Sequence, residues 1–384
     1  VLLCPDLPDH RRGGCRHAVL VDLPRAQGKG VTDTAETMDP RLLLIFLSGF
    51  IGGTGAFFIG APMPYMLGGI FGAACFVLWY ERGGRTLPQV TRWVRLVFMS
   101  MIGAMIGSRF SPDILALLPQ FWISGMMLLP FILIAHAGGY AIMRWGGKYD
   151  SRDAYFASLP GGIIDSVVLA EKAGADLRIV TAQHFTRIIL VVTSVPLLFL
   201  FVEGEVVGSL AGESLATSSY QLSDVGLILA IAAVGLGIGH LARLPVAHMV
   251  GPLTVAFVLT VSGTVTIDVP HWMGHVAQFM IGTALGAQFS GMSRRLLVKG
   301  LGFGLIVGLY MLAVGSAIAW VLTDYVPAGF DVMFVSFAAG GLAEMSLIAL
   351  SLNFNPVVVA LHHLIRIVLT IAVGSFLARR LFRL

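Results

Sequence analysis

Cysteine and charge are both scarce in this chain. Its three cysteines, Cys4, Cys15 and Cys75, are spread through 384 residues, which excludes a disulfide framework and any C-x-x-C metal or redox spacing. Charged residues make up 12% of the chain against 57% hydrophobic, with a mean hydropathy of +0.86. A soluble protein of this length could not carry that balance without exposing large apolar patches, so an integral membrane protein is expected. Basic clusters are missing as well. The pI of about 9.1 comes from Lys and Arg placed singly at the ends of apolar runs, where membrane topology calls for them, and this reads against nucleic acid as a partner. Residues 1–37 are polar, rich in Arg and Pro and without an apolar core, so they read as a disordered or wrongly included extension, with Met38 as the expected start.

Glycine is abundant, at 46 residues, and much of it recurs in register. Gly161-Gly162-Ile163-Ile164-Asp165 is matched by Gly340-Gly341-Leu342-Ala343-Glu344, and Gln183-His184-Phe185-Thr186-Arg187 by His362-His363-Leu364-Ile365-Arg366, both at an offset of 179 residues. The same offset carries Gly103 and Gly107 onto Gly282 and Gly286, while Pro62, Met66 and Gly68 find Pro245, Met249 and Gly251 at 183. The chain is therefore duplicated: 38–202 is the first membrane repeat, 222–384 the second, and 203–221 an acidic, Ser/Gly-rich linker expected outside the cytoplasm. Glycines four residues apart let helix backbones approach closely in lipid, and packing is the plain account of Gly103/Gly107 and Gly282/Gly286.

A span of about 30 Å of hydrocarbon needs roughly 20 apolar residues. Candidate runs lie near 42–59, 63–80, 93–109, 113–144 and 177–202, and again near 222–241, 245–262, 272–290, 297–322 and 356–379. Each copy adds a shorter element, 153–173 and 332–352, interrupted at its glycine pair. Loop charge orients the copies, because short cytoplasmic loops retain Lys and Arg. Loop 81–95 holds Arg82, Arg85, Arg92 and Arg95, and its counterpart 263–271 has no basic residue. Loop 144–153 has Arg144, Lys148 and Arg152 against Asp324 and Asp331 in its mate, whereas 291–299 holds three basic residues against one in 109–113. Homologous loops thus fall on opposite sides. The expected fold class is an all-α polytopic membrane protein of two inverted repeats, each with about five transmembrane helices and one glycine-broken re-entrant element. Both termini are then cytoplasmic, with Arg379, Arg380 and Arg383 inside. Six full spans per copy is the alternative and would leave the linker inside.

Two constellations could carry chemistry. Non-helical backbone at membrane depth is tolerated where protein buries it or water lines it, so Gly161, Gly162, Gly340 and Gly341 should border a cavity. The half-helices that follow point a positive dipole end into it. Asp165 and Glu344 fall in their first turns, either complementing that dipole or serving as a protonatable coupling site. The second constellation, His184 with Arg187 and His363 with Arg366, lies at i, i+3 on one face of an apolar helix. An intramembrane Arg needs a partner, and Asp165 and Glu344 are the natural candidates. A structural salt bridge and a substrate-binding Arg both remain open, as do relay and core roles for the histidines. His271 and His275 lack a third metal ligand, and His136, His240 and His248 read as packing residues. No cofactor, metal or catalytic residue is expected.

With Leu159-Pro160-Gly161-Gly162 in the first copy and Gly340-Gly341-Leu342-Ala343-Glu344-Met345, followed by Leu361-His362-His363-Leu364-Ile365-Arg366, in the second, the chain resembles the bacterial AbrB-type duplicated inner-membrane family from about 40 to 381. Asp165 and Ser166 depart from the family's Glu and Met in the first copy. The resemblance implies the labels regulator or ammonia monooxygenase, without an agreed biochemical activity. The soluble DNA-binding AbrB is a namesake only. Copper oxidation would need a convergent histidine cluster, which this sequence does not display. The expectation is a proton- or cation-coupled secondary transporter of a small anionic or amphoteric solute, not an enzyme. A membrane-embedded sensor affecting gene expression is the rival. Its partners would be the lipid bilayer and a small solute, with a homodimer left open and no nucleic acid.

Overall fold

The computed structural model describes residues 39–384 except 89, 91, 111, 204–220, 245, 293, 353, 383 and 384, and among these it contains helices and turns without a strand. The extension 1–37 and residues 204–220 of the linker lie outside the described residues. The first copy runs α1 Pro40–Phe58, α2 Pro64–Glu81, α3 Arg92–Gly107, α4 Pro112–Leu117, α5 Trp122–Ala141, α6 Ser151–Ala157, α7 Ile163–Ala173 and α8 Leu177–Glu203. The second runs α9 Leu222–Leu241, α10 Ala247–Val261, α11 His271–Ala287, α12 Arg294–Leu322, α13 Phe330–Phe337, α14 Leu342–Ser351 and α15 Pro356–Phe382. Adding 179 to the first residues of α3, α6, α7 and α8 gives those of α11, α13, α14 and α15. The copies differ where Pro119 interrupts the first: a 3-10 turn, Leu118–Phe121, separates α4 from α5, while α12 continues unbroken for 29 residues.

Local chemistry sets the ends. Proline opens α1, α2 and α15, where its missing N–H costs nothing. Asp39 and Asp150 cap their helices by accepting from Arg41 N at 2.9 Å and Arg152 N at 3.0 Å. α2 and α10 begin differently: their N-caps, Met63 and Val246, take φ of 46° and 49°, a left-handed conformation that non-glycine residues adopt only under constraint. The two are repeat mates at an offset of 183.

Among the described residues, six helices are long and apolar enough to cross a membrane: Pro40–Phe58, Leu115–Gly146, Leu177–Phe201, Leu222–Leu241, Val298–Leu322 and Pro356–Phe382. α1 and α9 carry exposed apolar side chains such as Leu43, Phe58 and Leu241, the last 87% exposed, and in a chain of this composition such faces meet lipid. The protein is a multi-pass membrane protein. Of the ten runs expected from sequence, α2, α3, α10 and α11 do not meet that length and apolarity. α3, α10 and α11 fall short in length, at 16, 15 and 17 residues. Gly103 and Gly107 of α3 lie so close to Met249 O and Leu253 O of α10 that a Cβ at either would collide, and Gly282 and Gly286 of α11 lie equally close to Met66 O and Ile70 O of α2. Each copy's third helix therefore packs on the other copy's second, through the same four-residue glycine spacing.

α8 and α15 run through the interior, with Arg187, Arg366, His184 and His363 all buried. The ends of the broken elements meet particular partners. Asp176 N, just after α7, donates to Asp153 Oδ1 near the start of α6 at 2.8 Å, so entry and exit are adjacent. Phe382 at the end of α15 packs on Tyr155 and Phe156 of α6, with ring centroids 5.4 and 6.2 Å apart. In the second copy Phe334 of α13 and Phe354, just after α14, both pack on Phe199 near the far end of α8, at 6.0 and 5.4 Å.

Candidate functional site: two helix breaks around one cavity

The polypeptide leaves helical geometry between α6 and α7 and again between α13 and α14. Pro160 supplies no N–H and the glycines tolerate the sharp change of direction, so carbonyls at each break lose their intrahelical donors. Two arginines replace them. Arg187 of α8 donates from Nη1 to Leu159 O at 2.5 Å and from Nη2 to Gly161 O at 2.8 Å. Arg366 of α15 donates from Nη1 to Ala338 O at 2.5 Å and from Nη2 to Gly340 O at 2.7 Å. Both arginines are almost wholly enclosed, at 2% and 1% exposure, and the bonding is the same nitrogen for nitrogen across the repeat. A planar fork suits this task, because two of its nitrogens donate in fixed geometry to two carbonyls where a lysine offers a single nitrogen. The sequence pointed to Asp165 as the partner of Arg187. The guanidinium holds the broken backbone instead.

The two acids sit at the third position of their half-helices, behind the N-caps Gly162 and Gly341. Each side chain turns back over its own helix end. A Cβ at Gly162 would stand 3.1 Å from Asp165 Oδ2, and one at Gly341 would overlap Glu344, lying 2.8 Å from its Cδ. The carboxylate fills the space a side chain would take, so a Cβ at Gly341 would have to displace Glu344. Asp165 is half-buried and Glu344 is buried, at 5% exposure. The dipole end beneath each carboxylate stabilises its negative charge.

Seven of the ten candidate residues line one cavity of about 270 Å³: Gly161, Gly162, Asp165, Arg187, Gly340, Gly341 and Glu344. His184, His363 and Arg366 stand outside its lining. His184 donates from Nε2 to Phe156 O at 3.1 Å, and His363 from Nδ1 to Val359 O at 2.9 Å, so both are tied to backbone, a carbonyl being able only to accept. Two residues that sequence reading set aside do line it, His240 and His248. They flank the connection between α9 and α10, and nothing in their spacing marked them. Repeat position gives no signal either, since His248 is the mate of Tyr65 and His240 of Phe57 at an offset of 183.

That pairing exposes an asymmetry. The cavity contains both helix breaks, yet it reaches only the second copy's connection, at Val246, Ala247, His248 and Met249. In the first copy Met63 is buried, and Tyr65, the mate of His248, is half-buried between Phe57, stacked with centroids 6.0 Å apart, and His275 at 5.3 Å.

The family described as "Transition state regulatory protein AbrB" matches residues 65–382, a span that takes in both breaks, both arginines and both acids. The chain belongs to the AbrB family. Among relatives of this AbrB-family chain, the protein YhjN of Bacillus subtilis (strain 168) is 27% identical over 336 residues, 82% of this chain and 86% of that protein. The "Putative regulator AbrB" of Escherichia coli (strain K12) is 24% identical over 323 residues, 84% of this chain and 91% of that protein.

Proposed function

We propose that this AbrB-family protein is a secondary transporter built from two inverted repeats, moving a small anionic or amphoteric solute across the inner membrane by proton or cation coupling. The observation that carries this reading is the cavity itself: both helix breaks contribute to one space, whose lining takes in the α9–α10 connection at Val246, Ala247, His248 and Met249 and not its mate between α1 and α2. A carrier with twofold-related gates has this form when it faces one side.

Loop charge supports an antiparallel arrangement of ten spans and two re-entrant elements, with both termini cytoplasmic. Inter-helix contacts agree with it. Asp153 and Asp176 adjoin each other and Phe382 adjoins α6, as expected if the first broken element enters and leaves on the side of the C-terminus. Phe199 adjoins both ends of the second broken element at the far end of α8. On this topology the connection between α9 and α10 faces the cytoplasm, and the conformation is inward-facing. Met63 and Val246, held in left-handed backbone at the mouths of the two gates, are the hinge candidates. Asp165 and Glu344 exchange the coupling proton or cation, since an intramembrane carboxylate is expensive unless paired or used. Arg187 and Arg366 keep the two breaks open. No enzymatic step, metal or nucleic acid enters this scheme.

A sensor acting on gene expression is the second reading, favoured by the name of the Escherichia coli relative. The transporter reading is tested by reconstituting the chain in proteoliposomes with a trapped pH-sensitive dye and adding solutes one at a time. A solute-dependent proton movement that disappears in Glu344→Gln supports it. Proton movement unchanged in both Glu344→Gln and Asp165→Asn rejects the assigned coupling site.

A further inference from the structure

Lys and Arg stand singly along most of the chain, but the fold gathers some of them where α5 meets α12. α5 ends in a π turn, Ile142–Gly146, a rare geometry found often at functional sites, and Lys148 just beyond takes a left-handed φ of 53°. This irregular stretch is pinned. Arg144 Nη1 donates to Tyr149 O at 2.8 Å, and Tyr149 packs edge-on against Phe303 of α12 with centroids 5.7 Å apart. Lys299 of α12 brings its Nζ to 4.3 Å from the centre of the same Tyr149 ring. Arg144, Lys148 and Lys299 are all exposed. Among the described residues none of the three forms an ion pair. The acids that follow in sequence are committed to backbone: Asp150 accepts from Arg152 N at 3.0 Å and Asp153 from Asp176 N at 2.8 Å. The repeat mates at an offset of 179, Thr323 for Arg144, Pro327 for Lys148 and Gln120 for Lys299, carry no charge. Duplication of a common scaffold therefore does not account for the cluster.

We infer that this corner of α5 and α12 binds an anionic phospholipid, its phosphate between Arg144 and Lys299 and its acyl chains along the seam of the two helices. Charge complementarity selects the headgroup, since the cations lack acidic partners, and basic pockets between membrane helices are recurrent headgroup sites. The surroundings select a lipid over a soluble anion. Trp145 is 73% exposed and lies beside Tyr140, with centroids 6.4 Å apart, the amphipathic pair expected at headgroup depth. Ten residues back along α5, about 15 Å deeper, the seam is apolar: Ile134 and Ile306 are each 49% exposed. There the helices are joined by Tyr310 of α12, which donates to Ile134 O at 3.0 Å and fills the space beside Gly138. A free anion would have no use for that track. On the topology proposed above, the site lies in the cytoplasmic leaflet. Nothing in it depends on whether the chain is a carrier.

The test is native mass spectrometry of the full chain released from neutral detergent micelles, with dioleoyl phosphatidylglycerol or dioleoyl phosphatidylcholine added at equal concentration. Each cation beside an anionic headgroup is worth about fivefold in affinity, so two give phosphatidylglycerol an advantage of about twenty-fivefold over phosphatidylcholine. Lys299→Gln should cut that preference about fivefold, and Arg144→Gln combined with Lys299→Gln should abolish it. Arg152→Gln, whose guanidinium lies against Gly174 at the end of α7, should leave it unchanged. If the double variant is not monodisperse, Lys299→Gln carries the test alone, because it leaves the Arg144 bond to Tyr149 in place. The proposal is overturned if the two lipids bind equally or if Lys299→Gln keeps the full preference. It is also overturned if inorganic phosphate at the same concentration displaces the lipid, which would make the ligand a free anion. A dimer mass that Lys299→Gln removes, with lipid preference unaltered, would assign the face to a second copy of the chain instead.

Discussion

Replacing Arg366 with Met removes the fork that holds the second helix break while keeping a long, flexible side chain in the space. Two bonds are lost, to Ala338 O at 2.5 Å and Gly340 O at 2.7 Å, in a region where the arginine is 1% exposed. A buried acceptor left without a donor costs about 1–3 kcal/mol, so two such carbonyls cost roughly 2–6 kcal/mol. The variant no longer buries a guanidinium, which offsets part of that loss and puts the expectation near the lower end, about 2–3 kcal/mol. Arg366→Lys separates charge from geometry: it keeps the positive charge but reaches one carbonyl at most, so its loss should fall between wild type and Arg366→Met. Reversible unfolding in mixed micelles titrated with sodium dodecyl sulfate, followed by tryptophan fluorescence, gives both numbers. Arg187→Met should behave alike, because the bonding repeats. A stability of Arg366→Met within about 0.5 kcal/mol of wild type would refute the assignment of this arginine as the clamp of the break. So would an Arg366→Lys variant indistinguishable from wild type.

Gly103→Ala and Gly282→Ala each drive a methyl group into a backbone carbonyl of the opposite copy. Both should destabilise by about 1–3 kcal/mol, whereas Gly237→Ala, with nothing within 4 Å, should be neutral or slightly stabilising in the same unfolding assay. Gly341→Ala should push Glu344 off its helix end and reduce solute-driven proton movement in proteoliposomes more than it reduces stability. Gly162→Ala, where the nearest atom is Asp165 Oδ2 at 3.1 Å, should have the weaker effect.

Much of this arrangement is legible along the chain because duplication writes each feature twice. The glycine pairs mark helix breaks, since Pro160 and adjacent glycines leave the backbone no regular alternative, and observed helices stop at Ala157 and Phe337, just ahead of them. Asp165 and Glu344 are readable as first-turn residues from spacing alone. The partners of the arginines are not. Sequence offers charge as the guide to pairing and hides backbone carbonyls, which every residue possesses, so only the folded break reveals that Leu159, Gly161, Ala338 and Gly340 are the acceptors. Span number is blurred at the helix ends: apolar runs continue past the last helical turn, so α3, α10 and α11 are 16, 15 and 17 residues long where the runs cover 17, 18 and 19. His240 and His248 read as packing residues because their mates, Phe57 and Tyr65, are aromatic. A site residue present in one copy alone leaves no repeated signature.

The sidedness of the two gate connections tests the carrier scheme most directly. Ile59 and Ala242 occupy the same repeat position and both are exposed. Single cysteines at these positions, in a chain with Cys4, Cys15 and Cys75 replaced, are to be labelled with a membrane-impermeant maleimide in intact cells and in inside-out vesicles. Antiparallel repeats require Ile59→Cys to react in cells only and Ala242→Cys in inside-out vesicles only; reaction of both from one side would contradict the inverted arrangement on which the transport mechanism depends.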